Sequence, residues 1–63
     1  MKIKATSYTI EKHAFLSRES LREMMTKWGW DAIETDCHLA TLELGKPTTI
    51  ETPKGTLLLE PVE

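Results

Sequence analysis

The stretch Leu16–Trp30, LSRESLREMMTKWGW, carries the strongest structural signal in the chain. Its apolar side chains recur at i, i+3, i+4 and i+7, which is the single stripe of an amphipathic helix. Ser17 stands where an N-cap residue belongs, and Gly29 stands where a left-handed residue ends a helix. We therefore expect a helix over residues 18–28 with one face on a small core. The stripe consists of Leu21, Met24, Met25 and Trp28.

Two features beside this helix are candidates for contact with a partner. Arg18 and Arg22 lie one turn apart on its flank, a spacing that presents two positive charges together. Trp30 follows the helix end, where it either folds back on Met25 as the closing contact of the C-cap or anchors an interface. The closing contact is the preferred interpretation.

The segment before the helix is interpreted as a strand and a connector. Residues 2–10, KIKATSYTI, are rich in β-branched side chains and predict a first strand. Residues 11–15, EKHAF, then connect the strand to the helix, and Phe15 is expected in the core beneath the helix start.

The segment 31–44 allows two interpretations. As a helix it has Asp31 as N-cap, a capping box and a stopping glycine. As a strand, residues 38–44 place alternate apolar side chains on one face. We prefer the strand, because the helix leaves Leu39 and Leu42 facing water and contains several poor helix formers. The helical alternative aligns Ile33, Cys37, Ala40 and Leu44 at 3.5-residue spacing.

The C-terminal part predicts a hairpin. Residues 48–52 and 56–60 are strands around Pro53-Lys54-Gly55, and a three-residue loop would place Ile50 opposite Leu58. The run LLL at 57–59 is apolar on both faces, as in a strand buried on both sides. One helix covers only one face, so we expect the other face to contact a second copy or a partner. The residues expected there are Leu57 and Leu59.

The fold class that follows is α+β, a single small domain over residues 1–63. Its predicted order is β-α-β-β-β, with one helix packed on a three- to four-stranded, mainly antiparallel sheet. The single cysteine excludes an internal disulfide and suits a reducing compartment. The sequence has no apolar run of membrane-spanning length and no signal-peptide pattern, so we expect a cytoplasmic protein without a membrane partner.

Charge is distributed unevenly along the chain. Residues 1–30 carry six basic and three acidic side chains, whereas residues 31–63 carry two basic and seven acidic ones. A basic N-terminal half is compatible with nucleic-acid contacts, although specific modules are usually more basic than this chain. The helical interpretation of 31–44 gives a winged helix-turn-helix outline whose recognition helix would be acidic, which disfavours that version. Besides the two arginines, the candidate nucleic-acid contacts are Lys2, Lys4, Lys12 and Lys27.

Motifs for chemistry are sparse. The three glycines are isolated and form no phosphate-binding loop. Cys37-His38 suggests a nucleophile or a metal ligand, but neighbours on a strand point to opposite faces, and a zinc site needs four ligands. We therefore predict no catalytic residue, no metal site, no cofactor and no small-molecule substrate.

One family comparison concerns the same residues. A helix ending in Gly-Trp, followed by Asp36-Cys37-His38 and by strands ending at Pro53, resembles the HicA-type toxins, small ribonucleases with a double-stranded-RNA-binding-like fold. The resemblance covers residues 20–56 and would imply a catalytic His38. Asp36 and Cys37 stand where that family has a Gly-Ser-His or Gly-Gly-His core, and the family's further C-terminal helix has no counterpart in this sequence. We assign no family on this basis.

The functional expectation is a small, non-enzymatic regulatory or inhibitory protein that binds a protein partner, with the chain itself forming a homodimer. A DNA-binding regulator that uses residues 2–27 is the alternative. The two hypotheses differ in the salt dependence of binding, which is steep for a phosphate backbone.

Overall fold

The computed structural model describes residues 2–9 and 11–62 and contains a four-stranded antiparallel sheet with two helices on one face. The strand order is β2-β1-β4-β3, so the first and last strands pair at the centre. The predicted α+β class is confirmed, but the predicted order with one helix is wrong, because the chain runs ββααββ. In chain order the elements are β1 (Lys2–Ser7), β2 (His13–Ser17), α1 (Arg18–Lys27), α2 (Ala32–Glu43), β3 (Thr48–Thr52) and β4 (Gly55–Val62).

The expected connector before the first helix is largely a strand. β1 ends at Ser7, the chain turns, and β2 returns antiparallel, with Lys4 opposite Phe15. Phe15 is 53% exposed and lies on the face away from the helices, so its predicted place in the core is wrong. Strand alternation explains this, because Ala14 and Leu16 take the inward positions beside it. Ile10, the predicted end of the first strand, lies outside the described residues.

α1 follows the sequence prediction closely. The Ser17 side chain accepts a hydrogen bond from the backbone N–H of Ser20 at 3.1 Å and caps the helix start. Gly29 has a φ of +92° and donates its N–H to Thr26, while the N–H of Trp30 reaches the carbonyl of Met25 at 3.0 Å. These two bonds form the Schellman motif that the Gly-Trp pair predicts. The Met25 side chain is fully buried.

The segment 31–44 is helical, so the preferred strand interpretation is wrong. Asp31 caps α2 by accepting a hydrogen bond from the N–H of Glu34 at 2.8 Å. Leu39 and Leu42 do not face water, because together with Thr35 they form the fully buried side of this helix. The buried Thr35 hydroxyl also lies on this inner side and donates to the Asp31 carbonyl at 2.8 Å, which satisfies it.

The C-terminal hairpin has a shorter turn than predicted. Thr52 lies opposite Gly55, so the loop is Pro53-Lys54, and Ile50 faces Leu57 instead of Leu58. This one-residue change of register turns Leu57 toward the helices, and Leu58 to the opposite face.

Leu59 is fully buried on the same inner face as Leu57. The predicted position of Leu57 and Leu59 on the uncovered face of the sheet is therefore wrong. On the opposite face of the sheet, the positions beside these two leucines carry mainly polar side chains. This pattern is common in antiparallel sheets that have one face in contact with solvent.

The core lies between the sheet and the two helices. Its centre is formed by β1, β4 and β3 from below and by two residues of each helix from above. Trp28, Trp30, Leu16 and Leu57 pack against it while remaining partly exposed. In the described part of the chain, no helix combines the length and apolarity needed to cross a membrane. The buried apolar residues are Ile3, Ala5, Leu21, Met25, Leu39, Leu42, Ile50 and Leu59.

Candidate partner-binding groove

An apolar groove opens on the helix side of the sheet, between the end of α1 and the turn of the C-terminal hairpin. Met24, Trp28 and Leu57 form its apolar floor, and its volume is about 540 Å³. Lys27 and Lys54 stand at its two sides, one from the helix and one from the turn. We call this surface the lysine-rimmed groove.

The groove extends toward β2 through a second recess of about 230 Å³. The two share Ser7, Met24 and Leu57, so their apolar surfaces are continuous. Ala5, Ala14 and Leu16 contribute further apolar surface, and Lys12 and His13 border the recess. The two recesses form one continuous apolar surface that runs from the C-terminal hairpin to β2, and such a surface can accept the apolar side chains of a peptide segment.

The groove exists because the helices do not cover the whole inner face of the sheet. Ile3 near the start of β1 and Leu59 in the middle of β4 are fully buried, whereas Ser7 and Leu57, which lie closer to the turns, remain partly exposed. α1 ends at Lys27, and the Schellman motif turns the chain back toward β3 just there. The apolar surface beyond the helix end is therefore left open.

The charge around the groove is of one sign. Lys12, Lys27 and Lys54 border it, and the described residues that line it include no carboxylate. The whole chain has a formal net charge of −2, so this is a local excess of positive charge on an acidic protein. A ligand that combines apolar side chains with carboxylates matches both properties of the surface.

The arginines predicted to meet a partner are engaged within the chain. Arg18 Nε donates to Glu43 Oε1 at 2.7 Å, and Arg22 pairs with Asp36. Both pairs join α1 to α2 and are about half exposed, so each contributes roughly 0.2–1 kcal/mol. Their charge is balanced locally, which weakens the case for Arg18 and Arg22 as phosphate contacts.

Trp30 and His38 form a small cluster with the edge strand β3. The Trp30 indole N–H donates to the Glu51 carbonyl at 3.2 Å, and its ring meets the His38 ring edge-on at 5.3 Å between centroids. His38 Nδ1 lies 2.9 Å from Thr48 Oγ1 in a hydrogen bond. The indole thus binds a carbonyl of the edge strand and protects that edge, and the hydrogen bond of His38 joins α2 to the same strand. Cys37 points outward and is exposed.

The remaining basic candidates do not share one surface. Lys2 and Lys4 lie on the open face of the sheet, where Lys2 Nζ sits 5.6 Å from the centre of the Phe15 ring. Lys4 is opposite Glu60, a carboxylate on the neighbouring strand. Lys12 and Lys27 border the groove on the other side of the sheet.

Chemistry and family comparisons add no further site. Within residues 2–9 and 11–62, no three His, Cys, Asp or Glu residues cluster closely enough to hold a metal ion. The sequence predicts Met24 and Trp28 as part of the apolar stripe of α1, and Lys54 as a turn residue. It does not predict that these residues line one groove, because their proximity depends on the register of the C-terminal hairpin. No protein-family model, no curated protein and no solved structure significantly matches this chain.

Proposed function

We propose that this protein is a non-enzymatic regulatory or inhibitory module that binds a protein partner in the lysine-rimmed groove. The observation that carries the proposal is the partly exposed floor of Met24, Trp28 and Leu57 beside Lys27 and Lys54. Tryptophan and methionine are enriched where proteins meet, and a half-buried aromatic ring in a concave surface is the usual centre of a binding site.

The partner segment is expected to be acidic and amphipathic. Its apolar side chains would fill the groove, which is within the size range of binding pockets, and its carboxylates would reach the lysines. The exposed lysines contribute mainly to the association rate and to the choice of partner, whereas the apolar floor supplies most of the affinity.

A nucleic-acid partner receives less support from the same surface. Two of the lysines proposed for that role lie on the opposite face of the sheet, and both arginines are paired with carboxylates. A phosphate backbone needs several free cations along one surface.

The proposal is tested with two synthetic helical peptides of about 18 residues, each with leucine at i, i+3, i+4 and i+7. One carries glutamate at the polar positions and the other carries lysine. In NMR titrations of labelled protein, we expect the glutamate peptide to shift the indole signal of Trp28 and the methyl signal of Met24. Its dissociation constant should rise with salt, while the lysine peptide should leave both signals unchanged.

Charge reversal supplies the matched control. The double variant Lys27→Glu/Lys54→Glu should weaken binding of the glutamate peptide about tenfold or more. Lys46→Glu reverses a single charge at an exposed loop position that does not line the groove, and it should leave binding within about twofold of the original value. Equal binding of both peptides, or shifts confined to residues outside the groove, would reject the proposal.

A further inference from the structure

α2 carries a second apolar stripe on the side opposite the core. Ile33 is 78% exposed and Leu44 is 76% exposed, and Cys37 and Ala40 are exposed between them. These four residues follow at i, i+4, i+7 and i+11, so they form one line along the outer surface of the helix. We call this line the outer stripe.

The outer stripe is unusual for a helix on the surface of a small protein. Leu39, Leu42 and Thr35 already supply the buried face of α2, so the stripe has no role in the core. Within the described residues no other element covers it, since α1 lies beside α2 and the sheet lies beneath. Ile33 and Leu44 are joined by the exposed Cys37 and Ala40 into one line, and a continuous exposed apolar line is a candidate contact surface.

We propose that the outer stripe is the interface of a homodimer, in which α2 packs against α2 of a second copy about a two-fold axis. The proposal rests on a surface separate from the lysine-rimmed groove, so the groove is free to bind its partner in either state. It also places the predicted dimer on the helix layer and not on the open face of the sheet.

The sizes of the side chains along the outer stripe suit the packing of two copies of the stripe against each other. Its two central residues, Cys37 and Ala40, are small, and its two end residues, Ile33 and Leu44, are large. Small side chains at the centre let two helix axes approach to about 8 Å, while the large ones fill the space where crossing helices diverge. A two-fold interface is made of the same patch on both copies, and this stripe has matching sizes in both chain directions.

The charges beside the stripe are balanced and do not oppose self-association. The flank toward α1 presents Arg18 and Arg22 together with Glu43 and Asp36, each of them partly exposed. This flank offers both signs in equal number, so it can face the same flank of a second copy, or a neutral surface, without net repulsion. An acidic partner therefore matches the positively charged groove better than it matches this charge-balanced surface.

The expected area sets the strength of the dimer. A 12-residue helix is about 18 Å long, and a pair of such helices buries on the order of 400 Å² per copy. That is roughly half of what a stable interface of standard size buries per partner. We therefore expect a reversible dimer with a dissociation constant in the micromolar range or above, populated only at high protein concentration.

Sedimentation velocity from about 5 to 500 μM under reducing conditions tests this inference. The original protein should shift from monomer toward dimer over that range, and Ile33→Glu/Leu44→Glu should stay monomeric. Both replaced side chains are largely exposed, so this variant should keep its fold, which circular dichroism checks. Phe15→Glu is the matched control, because it replaces an exposed apolar residue on the open sheet face.

Cys37 gives an independent readout. It lies next to the centre of the stripe, so the two Cys37 residues of a dimer come within disulfide distance, and diamide should cross-link the original protein. The Ile33→Glu/Leu44→Glu variant should cross-link at least about tenfold more slowly at the same concentration. A monomer at every concentration, or a dimer that Phe15→Glu abolishes and Ile33→Glu/Leu44→Glu does not, would overturn the inference.

Discussion

Gly55 begins β4 with a φ of +119°, and the space where a Cβ would project is already filled. An added Cβ would lie 2.4 Å from Thr9 Oγ1 in the turn that follows β1. The Gly55→Ala variant therefore carries both the strain of a positive φ and a steric clash, and we expect it to lose about 2–4 kcal/mol of unfolding free energy. Urea denaturation followed by tryptophan fluorescence measures the loss.

Gly29 provides the matched comparison for this prediction. Its φ is +92°, but no atom lies within 4 Å of the position of an added Cβ. Gly29→Ala should therefore cost only the backbone term, about 1 kcal/mol. In the background of Thr9→Ala, the cost of Gly55→Ala should fall toward that of Gly29→Ala. Equal costs for the two single variants would show that the contact with Thr9 relaxes freely.

At the scale of the element, α2 shows why the sequence pattern favours a strand where the structure has a helix. A helix that is apolar on one side is easy to orient, but this one is apolar on both sides. The outer stripe has the regular spacing that is typical of a buried face, so the sequence pattern favours the wrong side of the helix. The face that is actually buried contains Thr35, whose hydroxyl donates a hydrogen bond to the Asp31 carbonyl. Because threonine is polar, the sequence pattern does not indicate that this position belongs to the core. Local pattern predicted α1 and both of its ends, because there one face alone is apolar.

The candidate site was predictable only in part, for a related reason. The sequence predicts Met24 and Trp28 as apolar helix positions and Leu57 as part of an apolar strand. Their meeting depends on where α1 stops relative to the hairpin turn. The one-residue difference in register decides whether Leu57 or Leu58 turns inward beside Ile50. Register of this kind is set by tertiary packing and is not encoded in a short window.

The N-terminal cap of α2 leads to a prediction about the stability of this helix. Replacing Asp31 by alanine removes the side-chain acceptor for the Glu34 N–H and should destabilise the protein by about 1 kcal/mol. Asp31→Asn keeps an acceptor at the same place and should cost a few tenths of a kcal/mol at most. Amide hydrogen exchange locates the effect, which should be largest in the first turn of α2. Equal losses for the two variants would mean that the negative charge, not the hydrogen bond, stabilises the helix start.

At the scale of the whole molecule, the central pair of strands is also the pair most distant in sequence. β1 and β4 pair from Lys2 opposite Val62 to Ser7 opposite Leu57, so the sheet is complete only when the two ends of the described chain meet. The hairpins β1–β2 and β3–β4 and the helix pair are all local. Closing the long loop between β1 and β4 costs entropy before the central contacts form, which slows folding.

A circular permutant tests this account. A linker of about four residues from Val62 to Lys2 turns β1 and β4 into a hairpin, and new ends between Lys46 and Pro47 fall in an exposed loop. We expect this permutant to keep the fold and to refold about tenfold faster in stopped-flow fluorescence, because its loop closure is shorter by some 50 residues. A second permutant opened between Met24 and Met25 cuts α1 beside a fully buried side chain and should not fold. If the first permutant refolds no faster, pairing of β1 with β4 is not the rate-limiting step of folding. Docking of the two helices on the sheet is then the rate-limiting step.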